Sequence, residues 1–326
     1  MSSSPSAPPS SSSSSSIATP PAPAPRSPAS RSGGLVLATI GAIAFSGKAI
    51  IVKLAYRHDV DAVTLIMLRM LFALPLFVML AWWAGRPRGG VTPPRLTGRD
   101  WLGIFGLGFS GYYLGSFLDF AGLAYISASL ERLILYLNPT LVLLLGWVLF
   151  RRKVLRGQLV GMAISYAGVV LVFGRELQSA GSNTALGAGL VFGSAITYAL
   201  YLVYSGQMVK RLGSLRLTGL ASTVACLCCI AQFVVLKPLS SVLAVAPEVA
   251  WLSVLNATLC TVVPVLLVMM AIERIGPALT AQSGMVGPLS TILLGVVLLG
   301  EPLTAWLAVG TVLVIAGILV FSRAKA

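Results

Sequence analysis

Apolar runs of about 20 residues, separated by short polar turns, recur from Gly34 to Phe321 and predict helices rather than strands. A hydrocarbon core of about 30 Å takes about 20 residues of helix to cross, so each run is long enough to span a bilayer. Ten runs are expected: Gly34–Leu54, Ala62–Trp83, Trp101–Leu123, Ala128–Phe150, Gly157–Phe173, Gly187–Met208, Leu217–Leu236, Ala250–Ile272, Ala278–Leu299 and Ala305–Phe321. The turns between them, such as YRHDVD, GRPRGGVTPPRLTGRD, RRKVLR, KRLGSLR and GEPLT, combine charge with Gly or Pro in the way helix ends require. Residues 1–33 break this pattern. Ser, Pro and Ala dominate them, with too few large apolar groups to offset ordering entropy, and they read as a disordered Ser/Pro/Ala-rich cytoplasmic tail. The tail lacks the compact apolar segment of a secretory signal, so the first span is expected to act as an uncleaved signal anchor.

Composition supports lipid as the solvent for most of the chain. Of 326 residues, 57% are hydrophobic and only 10% charged, and the mean hydropathy is +0.92. The net charge of +14 would suggest nucleic acid in a soluble chain, but here the cations concentrate in the turns. With the N-terminus in the cytoplasm, sixteen basic residues fall on the inner side, including Arg151, Arg152, Lys153 and Arg156, against Arg57, Arg175 and Lys237 outside. That asymmetry sets the expected orientation, with both termini cytoplasmic and the chain multi-pass in a bacterial inner membrane. No nucleic-acid partner is expected. Four scattered cysteines and the lone His58 do not make a zinc site, and no metal or cofactor is expected.

The two halves repeat. Setting Pro139 on Pro288 gives an offset of 149, at which Gly161 falls on Gly310 and Gly168 on Gly317. At a slightly larger offset GLVLATIGAIAF from Gly34 aligns with GLVFGSAITYAL from Gly189. Each half then holds five spans, and an odd number turns the second half upside down relative to the first. The basic turn at Arg151 becomes the acidic turn at Glu301 on the opposite side. The expected fold is an all-α integral membrane protein of ten transmembrane helices arranged as two inverted five-helix repeats, 34–174 and 187–322.

Pro139, a turn, and then GQLVGMAISYAGVVLVF, repeated as Pro288, GEPLT and AWLAVGTVLVIAGILVF, resembles the two copies of the EamA-like domain in the drug/metabolite transporter superfamily. The likeness runs from about Gly34 to Phe321. It implies a transporter and places the fourth and ninth helices near an internal two-fold axis. The first half departs from the pattern at Arg152, where the second half has Glu301.

Charges within lipid-spanning helices are costly unless they pair, snorkel or face a wet cavity. Lys48 and Arg69 lie equally far from the turn that joins their helices, and Asp119 and Glu131 are symmetric about Tyr125, with Arg132 alongside. All five therefore fall in the same half of the bilayer, whereas Val203, Val268, Thr280 and Ala281 occupy the matching positions of the second repeat. Arg132 is expected to pair with Asp119, leaving Lys48 and Arg69 to meet an anionic or zwitterionic solute in a central cavity. The competing reading is a closed structural network with Lys48 snorkelling outward. Asn138–Pro139 and Gly287–Pro288 predict kinks lining the pathway, since proline removes a helix hydrogen bond. Gln282 and the Tyr198/Tyr201/Tyr204 series add candidate donors, with Tyr201 and Tyr204 expected on one face. The Gly-x-x-x-Gly pairs read as helix packing, and Glu301-Pro302-Leu303-Thr304 as a capped turn entering the last helix.

These features point to a secondary transporter working by alternating access, an exporter or exchanger of a small metabolite or drug-like solute, with lipid around it. No nucleotide-binding P-loop is present, so a proton or counter-substrate is the candidate coupling partner, with Asp119 and Glu131 as carriers. A membrane-embedded enzyme acting on a lipid-linked substrate is the alternative. The chain lacks H-E-x-x-H and G-x-S-x-G, which argues against it. A channel or non-transporting membrane subunit is the third reading.

Overall fold

A computed structural model describes residues 28–87, 94–150, 155–180, 183–243, 245–268, 270–271, 274 and 286–323. The described residues are helical or in turns. The helices are α1 (Pro28–Tyr56), α2 (Ala62–Ala84), α3 (Gly98–Leu107), α4 (Gly115–Leu123), α5 (Ala128–Leu135), α6 (Asn138–Phe150), α7 (Arg156–Ala180), α8 (Asn183–Leu212) and α9 (Ser214–Leu236), then α10 (Ser240–Leu243), α11 (Pro247–Ala257), α12 (Val286–Leu294) and α13 (Ala305–Arg323). Among the described residues, seven helices are long and apolar enough to cross a membrane, and Ser290–Leu299 and Ala305–Val320 are shorter apolar helices.

Helix starts follow local chemistry. Asp61 accepts from the N–H groups of Val63 and Thr64 at the head of α2, and Thr97 forms a reciprocal capping box with Asp100 at the head of α3. α8 and α9 are separated by Gly213, whose φ of 79° lies in the left-handed region that glycine enters without strain. α1 begins at Pro28, inside the stretch assigned to the tail, because Pro is well placed in a first helical turn and no later proline interrupts the run.

Four of the ten expected spans take another form; in the eighth, α11 runs into a π-helical stretch at Thr258–Val262. The third is divided into α3, a π-helical stretch at Gly108–Leu114, and α4. The wide turn falls where neighbours come closest: a Cβ on Gly108 would lie 2.5 Å from the Ala221 carbonyl oxygen, and one on Gly111 would lie 2.5 Å from Tyr201 Cβ. The fourth breaks at Tyr136–Leu137 between α5 and α6. Pro139 has no N–H to return to the Leu135 carbonyl, so the expected kink is an interruption. The ninth enters the described residues only at Val286.

α2 packs along α9, α4 along α8, α1 against α12, and α7 along α13. In the last pair, Gly168 meets Gly310 and Gly161 meets Gly317, so the index falls along α13 as it rises along α7 and the two helices are antiparallel. Cβ atoms at Gly168 and Gly317 would each sit 2.6 Å from the facing glycine's carbonyl oxygen. The main core gathers Ile50, Leu65, Ile66, Phe120 and Phe233 around α1, α2, α4 and α9. Large apolar side chains such as Leu102, Val235 and Trp251 point outward, as lipid contact requires and water would not favour.

Candidate functional site

Between these helices lies a cavity of about 280 Å³. α1 contributes Phe45 and Lys48, and α2 contributes Arg69. The third span lines the cavity over two turns, from Tyr112 through Ser116 to Asp119. Those eight residues cover about 10 Å of helix. α5, the break and α6 supply Arg132, Leu135, Tyr136 and Asn138, while the second half of the chain adds Ser194, Tyr198, Ser222, Cys260 and Thr261.

All five charged residues singled out in the first half are buried here, but their pairing differs from expectation. Lys48 Nζ lies 2.5 Å from Asp119 Oδ2 and 3.3 Å from Glu131 Oε1. Arg132 does not pair with Asp119: its Nε donates to Thr291 Oγ1 at 2.9 Å and its Nη2 to the Phe45 carbonyl at 3.3 Å. The reason is helical geometry. Glu131 and Arg132 are consecutive, and consecutive side chains diverge by about 100° around a helix. Glu131 faces Lys48 and Asp119, so Arg132 faces α12 and α1. Arg69 donates from Nη2 to Ser116 Oγ at 3.0 Å and places its guanidinium 4.6 Å from the centre of the Phe120 ring. Lys48 is therefore the neutralised cation. Among the described residues, Arg69 and Arg132 have no carboxylate at ion-pair distance.

Several polar atoms around the cavity find no hydrogen-bond partner among the described residues: Arg69 Nε, Asp119 Oδ1, both Glu131 oxygens and Asn138 Oδ1. Burying such groups unmatched is costly. Glu131 itself lies behind Lys48 and does not line the cavity.

The remaining candidates scatter. Tyr201 is buried behind the wall, its hydroxyl 3.4 Å from that of Tyr112 and its ring 4.9 Å from the Tyr112 ring. Tyr112 and Tyr198, rather than Tyr201, meet the cavity. Tyr204 does not share the Tyr201 environment, being 52% exposed against 6%. Three residues turn a helix by roughly 300°, which moves Tyr204 roughly 60° off the buried face. Pro139 and Pro288 lie in the first turns of α6 and α12. Gln282 lies outside the described residues, as do Arg151, Arg152 and Lys153.

Glu301 reaches beyond its own turn. Its carboxylate accepts from the Ala128 N–H at 2.8 Å, the Ser129 N–H at 3.3 Å and the Ser129 hydroxyl at 2.6 Å, which fastens the head of α5. Glu176 of α7 accepts from the Ser127 N–H at 2.6 Å and its hydroxyl at 2.9 Å. The helix carrying Glu131 and Arg132 is thus held at its N-terminus by carboxylates from α7 and from the turn before α13. Thr304 caps the last helix, accepting from the Leu307 N–H. Sequence reasoning had not singled out Phe45, Ser116, Thr261 and Thr291. Their only signal is a hydroxyl or aromatic group within an apolar helix, which packing residues share.

Membrane-length apolar helices around a charged cavity define a multi-pass integral membrane protein. The sequence model of the EamA-like transporter family matches residues 32–174 and 185–323, and the chain belongs to that family. It is similar to YcbK, an uncharacterized transporter of Bacillus subtilis (strain 168), with 29% identity over 283 residues covering 83% of this chain and 87% of the relative. An uncharacterized transporter of Archaeoglobus fulgidus is 24% identical over 284 residues, covering 87% of this chain and 95% of its own length. A solved crystal structure matches in fold with a TM-score of 0.62 at 17% identity, covering 90% of this chain and all of the other.

Proposed function

We propose that the protein is a secondary carrier that moves a small anionic or zwitterionic solute through the Lys48–Arg69–Arg132 cavity by alternating access, as an exporter or exchanger. The observation that carries this reading is the charge of the site. Three buried cations face two carboxylates, and both carboxylates are engaged by Lys48, so Arg69 and Arg132 remain to meet a solute anion. A guanidinium fork suits a carboxylate bidentately, and Arg69 leaves its Nε–H without a partner. Asp119, through its unpartnered Oδ1, and Asn138 are the acceptors facing the solute. Tyr112 and Tyr198 form the less polar end, backed by Tyr201. In this reading Pro139 and Pro288 mark hinge points near the pathway.

The fold behind the mechanism is proposed as ten spans in two inverted five-helix units, 34–174 and 187–322. The crosswise glycine contacts of α7 and α13 support it, because equivalent helices related by an in-plane two-fold axis must run antiparallel. The cation-rich turns support an orientation with both termini on the cytoplasmic side of a bacterial inner membrane. Tags in the 151–154 turn and beside Pro302 are expected on opposite membrane faces, and finding both on one face would remove the inverted arrangement.

Proteoliposomes holding the full chain test the carrier reading with a panel of monocarboxylates, amino acids, sugars and nucleosides. Saturable flux, stimulated by solute on the far side, is expected for a negatively charged member and not for neutral analogues of the same shape. Removing one charge-assisted contact of about 1.5–3 kcal/mol predicts roughly 10- to 100-fold weaker apparent affinity in Arg69→Gln and Arg132→Gln. Unchanged affinity in both variants refutes the assignment.

A further inference from the structure

The charged cluster at the cavity wall is more than a scaffold for Lys48. α1, α4 and α5 converge there, and the side chains of Lys48, Asp119 and Glu131 are 9%, 3% and 0% exposed. One ammonium serves two carboxylates. Lys48 holds Asp119 tightly and meets Glu131 at 3.3 Å without hydrogen-bond alignment, so Glu131 is left accepting no bond at either oxygen. Two carboxylates sharing one buried cation do not both stay ionised when a proton can reach them. Asp119 supplies the route, because it lines the cavity and its Oδ1 is unpartnered, while Glu131 sits behind it.

The groups that face Glu131 fix the sign of the effect. Lys48 comes from α1, Asp119 from α4 and Arg132 from its own helix. α12 presents Thr291, bound to Arg132, while α8 presents apolar Val191 and Phe192 in the cluster that packs this helix. Arg69 and Cys260 lie farther round the cavity, Tyr56 is tied to the Phe120 carbonyl, and Glu176 and Glu301 sit at the head of α5. The three cations and two carboxylates sum to a charge of +1. An anion at Arg69 and Arg132 cancels that charge, and a proton at Glu131 restores it. Each therefore favours the other, and Lys48, released from sharing, turns its charge wholly to the cavity side.

We infer that Lys48, Asp119 and Glu131 form a one-proton site whose occupancy rises with anion occupancy at Arg69 and Arg132, so that the carrier moves its anion together with a proton. The inference rests on the anion-carrier reading above. Exported this way, the cargo leaves as the two parts of a weak acid, and the step is electrically neutral. Linkage is reciprocal: a proton strengthens anion binding by the factor with which the anion strengthens proton binding. A solute placing an ammonium group against Asp119 would reverse the sign.

The test uses the purified full chain in detergent, with benzoate as the probe anion, between about pH 6 and 9, where a benzoate-type carboxylate is ionised. Infrared difference spectra should show a protonated-carboxyl band growing on acidification and missing from Glu131→Gln. A wild-type protein with no titrating band overturns the proton site. In weakly buffered solution, adding benzoate should draw protons from the medium, and benzoate affinity should rise as pH falls by up to about tenfold per unit. Glu131→Gln should bind benzoate with pH-independent affinity. Should that variant fail to fold, proton uptake by the wild type decides alone. Benzoate binding with no proton uptake, or with proton release, overturns the linkage and leaves the anion carrier standing. A titrating band with no benzoate binding at any pH overturns the anion reading and, with it, the linkage.

Discussion

Replacing Glu301 tests whether the two halves are fastened through the head of α5. Its carboxylate takes two backbone N–H groups and one hydroxyl from Ala128 and Ser129, in the position of an N-terminal cap supplied by a distant segment. Losing a cap acceptor costs about 1 kcal/mol, and hydrogen bonds to a charged group are worth about 1.5–3 kcal/mol. Glu301 is only partly buried, so solvent screens part of the charge contribution. The balance is about 2 kcal/mol lost in Glu301→Ala and about 1 kcal/mol in Glu301→Gln, which keeps an acceptor oxygen. At about 2 °C per kcal/mol for a chain of this size, the alanine variant should melt about 4 °C lower and the glutamine variant about half as far. The assay is thermal unfolding in detergent, followed by tryptophan fluorescence. Crossing Glu301→Ala with Ser129→Ala isolates the contact: the double variant should be more stable than the sum of the single losses predicts, by about 1 kcal/mol. Additive losses, or an alanine variant that melts with the wild type, would refute the fastening.

The antiparallel seam between α7 and α13 gives a second test on the same assay. A methyl group in Gly317→Ala would press on the Ser165 hydroxyl and lie 2.6 Å from the Gly161 carbonyl oxygen, so a loss of about 1–3 kcal/mol is expected. Gly174→Ala meets nothing within 4 Å and should be neutral or gain up to about 1 kcal/mol of helix preference. Equal melting of the two variants would contradict the seam. Acid sensitivity is a third. Burial pushes the Asp61 carboxyl upward, but bonds from Thr64 and Lys237 outweigh it and hold the group below the usual carboxylate value. The N–H and hydroxyl of Thr97 do the same for Asp100, with Arg211 adding to the effect. Because both groups are lowered on folding, their stabilisation is complete above the unfolded Asp value of about 3.9 and fades as pH falls through the folded one. Asp61→Asn and Asp100→Asn should each flatten the fall in melting temperature between about pH 5 and pH 3. An unchanged slope in both variants would contradict the capping roles.

Apolar run length and turn chemistry made most helices legible in the sequence, since lipid demands about 20 residues whatever the tertiary contacts. The π-helical turn at Gly108–Leu114 was not legible. It depends on how closely Ala221 and Tyr201 approach two glycines, and that is a property of neighbours rather than of the run. Glu301 and Ser129 lie 172 positions apart, so a local reading could see only the turn around Glu301. The charged cluster was half legible for a sharper reason. Distance from a turn sets a residue's depth along its helix, and Lys48, Arg69, Asp119, Glu131 and Arg132, grouped by that depth, lie together at and behind the cavity wall. Azimuth around each helix decides partners, and depth says nothing of it: Glu131 and Arg132 share a level while reaching different partners. In the proposed carrier, that difference exchanges the cations offered to a solute. Had Arg132 taken Asp119, a lysine would face the cavity beside Arg69, a compact and strongly hydrated charge on a flexible stem. With Lys48 spent on two carboxylates, the cavity cations left without a carboxylate among the described residues are both guanidiniums, each fixed by hydrogen bonds at one edge. Two planar donors held at set positions favour an anion that accepts through more than one oxygen, which is why carboxylates come before halides among the solutes to be tried.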